Sequence, residues 1–75
     1  MPNFNSVFDT VDISTRPKRR RAVLLIITAL SRIRSAETAY MERIPANLTD
    51  SEAYSAADES IYLLSDAIEL LTDVY

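Results

Sequence analysis

The 75-residue chain contains no cysteine, no histidine and no glycine, and each absence excludes a class of site. Without cysteine there is no disulfide framework and no thiolate nucleophile. Without histidine the commonest general base and metal ligand is missing. Without glycine no P-loop or dinucleotide-binding loop can form, and tight β-hairpins lose their preferred residue. These absences predict an all-α chain with no enzymatic activity and no cofactor.

Basic residues are missing from the C-terminal part of the chain, so the net charge of −3 is unevenly divided. Residues 1–43 carry all eight Lys and Arg against four acids, a balance of +4. Residues 44–75 carry seven acids and no base, a balance of −7. Because the two parts are complementary to each other, this division favours a contact within the chain or between subunits over binding of a charged ligand.

Long apolar runs are absent too. The run AVLLIITAL, residues 22–30, is far shorter than the ~20 residues that span a bilayer. A signal peptide is disfavoured because the preceding bases lie well inside the chain and Arg32 and Arg34 follow the run. The segment KRRRAVLLII could lie on a lipid surface, but it is not amphipathic and this alternative ranks last. The expected location is the cytoplasm.

Three segments follow from the periodicity of the apolar residues. Residues 1–15 form a leader in which Phe4, Val7, Phe8 and Val11 share one helical face, so it is either disordered or a short docked helix. A first helix is predicted over about 16–43, with Ser14 or Thr15 as N-cap. Its predicted inward positions combine small and large residues, Ala22, Ile26, Ala29, Ile33, Ala36 and Tyr40, and they are flanked by Val23, Leu30 and Ile44.

The stretch RIPANLTDSEAY, residues 43–54, separates the two long helices. Pro45 cannot continue the first helix, and the turn is predicted over about 44–49. Thr49 and Glu52 have the spacing of a capping box, which predicts a second helix over about 50–74. So short a connection makes the helices antiparallel neighbours.

The second helix carries two apolar seams. The first has heptad spacing and consists of Tyr54, Ala57, Ile61, Leu64, Ile68, Leu71 and Tyr75. The second lies beside it and consists of Ala56, Ser60, Leu63, Ala67, Leu70 and Val74. One partner helix cannot cover both, so we expect a homodimer that forms a four-helix bundle, with the leader folding back over the hairpin as the rival. The residues expected to carry association, without deciding which seam faces the partner chain, are Ile26, Ile33, Ile61, Leu63, Leu64, Ile68, Leu70 and Leu71.

The basic cluster RPKRRR, residues 16–21, has two interpretations. Its bases could contact nucleic acid: Arg16, Lys18, Arg19, Arg20 and Arg21. The structural interpretation is favoured, because the rest of the chain is acidic and no aromatic residues interleave with the bases. In an antiparallel hairpin the cluster would then lie beside Asp66, Glu69 and Asp73.

Other polar residues predict no chemistry. The acids of the second helix lack the spacing of a calcium loop, so they predict a solvated face and no metal site. Serine and threonine are plentiful, but no base is available to activate them, since Lys18 is the only lysine. Of the four tyrosines, Tyr62 lies off the seams and is the best candidate for an outer contact.

Residues 44–71, IPANLTDSEAYSAADESIYLLSDAIELL, resemble a group of uncharacterised short bacterial and prophage-encoded proteins. In that group a helix ends at an I/M-P-x-N-L turn, and an S-E start then opens a helix rich in alanine, leucine and acids. The resemblance implies a helical hairpin and no particular activity. The expected function is that of a small non-enzymatic accessory or adaptor protein acting by protein–protein association, with a small nucleic-acid-binding regulator as the alternative.

Overall fold

Two helices make up most of the chain. The computed structural model describes residues 11–75, in which α1 (Arg16–Glu42) and α2 (Glu52–Thr72) are joined through a short 3-10 helix at Ala46–Leu48. The two α-helices pack against each other as an antiparallel hairpin, and these residues form no strand. The all-α helical hairpin expected from the sequence is therefore confirmed. The leader positions Phe4, Val7 and Phe8 lie outside the described residues.

The start of α1 is fixed by Thr15. Its backbone is extended, with φ −127° and ψ 162°, and its Oγ1 accepts a hydrogen bond of 3.3 Å from the backbone N–H of Lys18. This is the geometry of an N-cap, which satisfies one of the free N–H groups of the first turn. Pro17 occupies the first turn, where no N–H is needed. Of the two predicted caps, Thr15 is the one used.

The start of α2 differs from the predicted capping box. Ser51 is the N-cap, and its Oγ accepts from the backbone N–H of Tyr54 at 3.2 Å. Thr49 has helical dihedral angles because it ends the 3-10 helix, and its Oγ1 donates to the carbonyl of Ala46 at 3.2 Å. A cap needs an extended backbone, so the prediction that Thr49 caps α2 was wrong. The helix consequently begins two residues later than predicted.

The contact between the helices involves a different face of α1 from the one predicted. The partly buried positions of α1 that form it include Val23, Ile27, Leu30, Arg34 and Met41. The predicted inward residues Ala29, Ile33, Ala36 and Tyr40 are exposed instead, and Ala22 and Ile26 lie at the edge of the contact. The predicted stripe was thus one residue, or about 100°, out of phase. Five consecutive apolar residues at 23–27 left the phase of this helix undetermined.

On α2 the contact follows the first seam. Ala57 is 3% exposed, and Ile61, Leu64, Ile68 and Leu71 are partly buried. A hydrogen bond of 3.2 Å from Nη1 of Arg34 to Oγ of Ser65 joins the two helices. The Ser65 hydroxyl in turn donates to the carbonyl of Ile61 at 2.8 Å. A polar bridge therefore crosses the middle of an otherwise apolar contact.

The alternative caps of α2 can be separated by mutation. Ser51→Ala should lower the free energy of unfolding by about 1 kcal/mol, because a first-turn N–H loses its acceptor. Thr49→Ala is the matched control. It should change the free energy of unfolding by less than about 0.5 kcal/mol, because the Thr49 hydroxyl is exposed and does not cap α2. Urea unfolding followed by circular dichroism measures both. A larger loss for Thr49→Ala than for Ser51→Ala would contradict this assignment.

Candidate association surface

One face of the hairpin is apolar along both helices. On α1 it carries Ile26, Ala29, Ile33 and Ala36, which lie within about 80° of one another around the helix axis. On α2 it carries the second seam. The two rows belong to the same face, because a groove of about 330 Å³ between the helices is lined by Ile33, Glu37, Ser60, Leu63 and Leu64. We call this side of the hairpin the apolar face. It extends from Ala22 to Tyr40 along α1 and from Ala56 to Leu70 along α2.

The opposite face is largely polar. On α1 it carries Thr28, Ser31 and Ser35, and on α2 it carries Ser55, Asp58 and Tyr62. Several of its hydroxyls bond back to the preceding helical turn, as Thr28 does to the carbonyl of Leu24 at 3.0 Å. Two large apolar side chains interrupt this face, since Leu24 is 56% and Tyr62 is 69% exposed. The two sides of the hairpin therefore differ in how densely apolar residues are exposed, and the apolar face carries continuous rows of them on both helices.

The eight residues expected to carry association divide into two groups. Ile61, Leu64, Ile68 and Leu71 face α1 and are partly buried within the hairpin. The others lie on the apolar face, where Ile26 is partly buried and Ile33, Leu63 and Leu70 are 50%, 57% and 71% exposed. The structure thus assigns the first seam to the hairpin contact and leaves the second seam open.

The hairpin contact by itself makes a thin core. Within residues 11–75 only Ala57 is buried, and the apolar side chains along the contact keep part of their surface in water. A well-packed domain core encloses its large side chains on all sides. One layer of two helices cannot do this, because each helix has only one neighbour. A second layer of helices would cover most apolar surface if it packed against the exposed rows of the apolar face.

The basic cluster uses local partners. The Lys18 ammonium lies 2.7 Å from a carboxylate oxygen of Asp12, and Nη1 of Arg19 donates to the carbonyl of Ile13 at 3.1 Å. The guanidinium of Arg16 lies over the ring of Tyr75, 4.9 Å from its centroid. Within residues 11–75 the ion pair is that between Lys18 and Asp12, so none of these bases forms one with Asp66, Glu69 or Asp73, the acids beside which the cluster was expected to lie. Residues 11–15 lie against the first turn of α1 and supply nearer acceptors.

The same cluster does not form a single basic face. Lys18, Arg19, Arg20 and Arg21 are consecutive, and side chains on a helix turn by about 100° per residue. They therefore point in four directions around the axis, whereas a helix that tracks a phosphate backbone presents its bases on one side. This geometry favours the structural interpretation of the cluster over the nucleic-acid one.

Two other kinds of feature, a metal site and a membrane span, are absent from the same range. Between residues 11 and 75 no group of three or more acids is placed to hold a metal ion. No helix in this part of the chain is long and apolar enough to cross a membrane. The apolar face is thus the most distinctive surface feature of the described residues.

The pair between Lys18 and Asp12 can be tested by titration. The Lys18 ammonium and, to a smaller extent, the hydroxyl and N–H of Ser14 lower the pKa of Asp12 from 3.8 to about 2. The stabilisation is therefore present above pH 3.8 and is lost as the pH falls through about 2. Lys18→Met should raise this pKa part of the way towards 3.8, because Ser14 remains.

Carbon NMR of the Asp12 carboxyl against pH measures this shift. Arg21→Met is the matched control, since it removes one charge from the cluster but not the ion pair, and it should leave the pKa near 2. Equal shifts in the two variants would show that the general field of the cluster, and not the contact with Lys18, lowers the pKa.

Comparison of the chain with protein-family models, with curated proteins and with solved structures found no match. The resemblance of residues 44–71 to short bacterial and prophage proteins stays a prediction.

Proposed function

We propose that this protein acts by association, and that two copies stack through their apolar faces into an antiparallel four-helix bundle. The observation that carries the proposal is the exposure of Ile33, Leu63 and Leu70 in neighbouring apolar rows on one side of the hairpin. The other side is mostly polar, and its exposed Leu24 and Tyr62 form no such rows. Exposed apolar patches of this kind mark interaction sites. A two-fold pair covers the same surface on both copies, so no patch is left over to form fibres.

The energetics favour this arrangement over an isolated hairpin. Burying a leucine-sized side chain completely stabilises by about 1.5–3 kcal/mol, and these side chains have roughly half of that still to gain. Six of them, three from each copy, would be covered in the pair. A chain of this size buries too little surface alone for more than marginal stability. Folding and association would then be coupled, as in many small helical dimers.

The role that follows is that of a small non-enzymatic accessory or adaptor protein. The cytoplasmic location and the bacterial or prophage setting rest on the sequence and on the resemblance of residues 44–71. The alternative, a nucleic-acid-binding regulator, is less well supported because Arg16, Lys18 and Arg19 already have partners within the chain.

The apolar face can be disrupted without unfolding the hairpin contact. The variant Leu63→Glu/Leu70→Glu should shift the protein from dimer to monomer, because pairing would bury unpaired carboxylates. Tyr62→Glu is the matched control, since Tyr62 is 69% exposed, about as much as Leu70, but lies off the apolar face. Sedimentation equilibrium measures the mass of each.

A wild-type mass of one chain across micromolar to millimolar concentration would overturn the proposal. So would a dimer that the Leu63/Leu70 variant leaves intact, because the pair would then use another surface.

Glu37 gives a second test in the opposite direction. It lines the groove of the apolar face and is partly buried, so pairing must remove water from its carboxylate. Glu37→Leu should tighten the dimer by about 1 kcal/mol or more, because a charge that is costly to bury is replaced by an apolar side chain. Glu42→Leu, on the exposed end of α1 away from this groove, should have little effect. Weaker association of Glu37→Leu would place the interface elsewhere.

A further inference from the structure

We propose that the outer face of α1 binds the surface of an anionic lipid bilayer. We define this face by Arg21, Leu25, Arg32 and Arg43, which point away from α2. It is a different surface from the apolar face, so the inference does not depend on the pairing of two copies. The occupant is a planar layer of anionic headgroups, which the protein contacts from one side.

The hairpin contact determines which side chains of α1 point outward. Side chains two positions apart on a helix point about 200° apart, so they lie on nearly opposite sides. Each member of the outer face is two positions from a partly buried residue of the hairpin contact: Arg21 and Leu25 from Val23, Arg32 from Leu30, and Arg43 from Met41. All four members are exposed. Arg43 keeps the phase of the helix because its dihedral angles are helical, with φ −84° and ψ −8°.

The three arginines of the outer face form a straight row. Successive members are separated by about three helical turns, so they lie about 16 Å apart along the helix axis. Between residues 21 and 43 no acid shares this face, since Glu37 lines the groove of the apolar face and Glu42 points sideways, about 100° from Arg43. Within residues 11–75 none of the three arginines forms an ion pair. Their charge is therefore available to an anionic partner.

The hairpin contact also makes the start of α1 amphipathic. In the sequence, five consecutive apolar residues at 23–27 surround the helix axis, which argues against a lipid-binding surface. In the hairpin, Val23 and Ile27 lie against α2, and Ile26 lies at the edge of the contact. The outward side at this level carries Arg21 and Leu25. The structure thus removes the reason for ranking a lipid surface last.

The composition of the row favours lipid over nucleic acid. Leu25 is 55% exposed and lies one turn after Arg21. A leucine among bases can enter the boundary between headgroups and acyl chains, whereas a phosphate backbone offers it no apolar partner. A straight row about 33 Å long also contacts a plane along its whole length. The backbone of a duplex winds away from such a row.

The division of charge orients the hairpin on an anionic surface. The acids of the outer face of α2 point the opposite way, because each is two positions from a residue of the contact: Glu59 from Ala57, Asp66 from Leu64, and Asp73 from Leu71. They lie two helix diameters, about 20 Å, behind a surface that α1 contacts. This is more than twice the Debye length of about 8 Å at physiological ionic strength. The net charge of −3 therefore does not prevent binding.

Sedimentation of the full chain with vesicles tests the inference. Vesicles of phosphatidylglycerol and phosphatidylcholine in equal parts should bind the protein, and vesicles of phosphatidylcholine alone should not. Arg21→Gln/Arg32→Gln/Arg43→Gln should lower the partition coefficient about 100-fold, because each base near an anionic surface contributes about fivefold.

Arg16→Gln/Arg19→Gln/Arg20→Gln is the matched control. It removes the same charge from side chains that lie within about 60° of Val23, on the side of α1 that faces α2. Its loss should be less than about tenfold, because these bases are about one Debye length further from the lipid. Circular dichroism of both variants should match that of the wild type, since all six side chains are exposed.

A leucine variant distinguishes lipid from nucleic acid. Leu25→Ser should weaken vesicle binding about tenfold, because the apolar side chain no longer enters the headgroup boundary. It should leave any binding to duplex DNA unchanged. Tyr62→Ser is the control, since Tyr62 is 69% exposed but lies on α2, away from the lipid.

Three results would overturn the inference. One is a protein that does not sediment with the anionic vesicles. Another is an equal loss in the two triple variants, which would show that net charge and not the outer face controls binding. The third is binding to duplex DNA that exceeds binding to vesicles and is lost in the Arg21/Arg32/Arg43 variant. A monomeric protein that binds vesicles would leave this inference standing and overturn only the proposed pairing.

Discussion

A hairpin of two helices has one internal contact. The fold of this chain depends on how little apolar surface that contact can bury. Each α-helix packs against only one other α-helix. The side chains between them are therefore covered by the facing helix and remain exposed to water along both sides of the contact. Only Ala57, the smallest member of the seam, is fully enclosed within the described residues. Larger side chains such as Leu64 and Ile68 remain partly in water. The apolar face lies beside this contact, so the rows that form the hairpin and the rows that stay exposed are neighbours on the same helices.

Much of this hairpin was predictable, and the errors have physical causes. Pro45 ends α1, and the heptad spacing of Ile61, Leu64, Ile68 and Leu71 identifies the inner seam of α2, because each of these signals has one interpretation. The N-cap of α1 was narrowed to Ser14 or Thr15, and Thr15 is the one used. The phase of α1 was not predictable, since consecutive apolar residues at 23–27 fit several faces. The cap of α2 was ambiguous for a similar reason. Thr49 and Ser51 are both good caps, and the choice was decided by a 3-10 helix that sequence patterns do not reveal.

The basic cluster shows why charge patterns in sequence predict partners poorly. Its position at the open end of the hairpin pointed to the acids at the end of α2. The structure uses nearer groups: Asp12 and the carbonyl of Ile13 before the helix, and the ring of Tyr75 after α2. Contacts within a few residues of each other lose little chain entropy on forming, so they are favoured over distant pairs of equal strength. The contact between Arg16 and Tyr75 does cross the hairpin, and at an exposed site it contributes about 0.5–1 kcal/mol.

The unequal division of charge makes α1 and α2 complementary to each other within one chain. Their contact is nevertheless apolar except for the bridge between Arg34 and Ser65, so charge stabilises the hairpin only at long range. Hydrophobic burial is non-directional, whereas a hydrogen bond has a required geometry. The apolar seam therefore supplies most of the attraction between the two helices, and the bridge between Arg34 and Ser65 adds a directional contact in its middle.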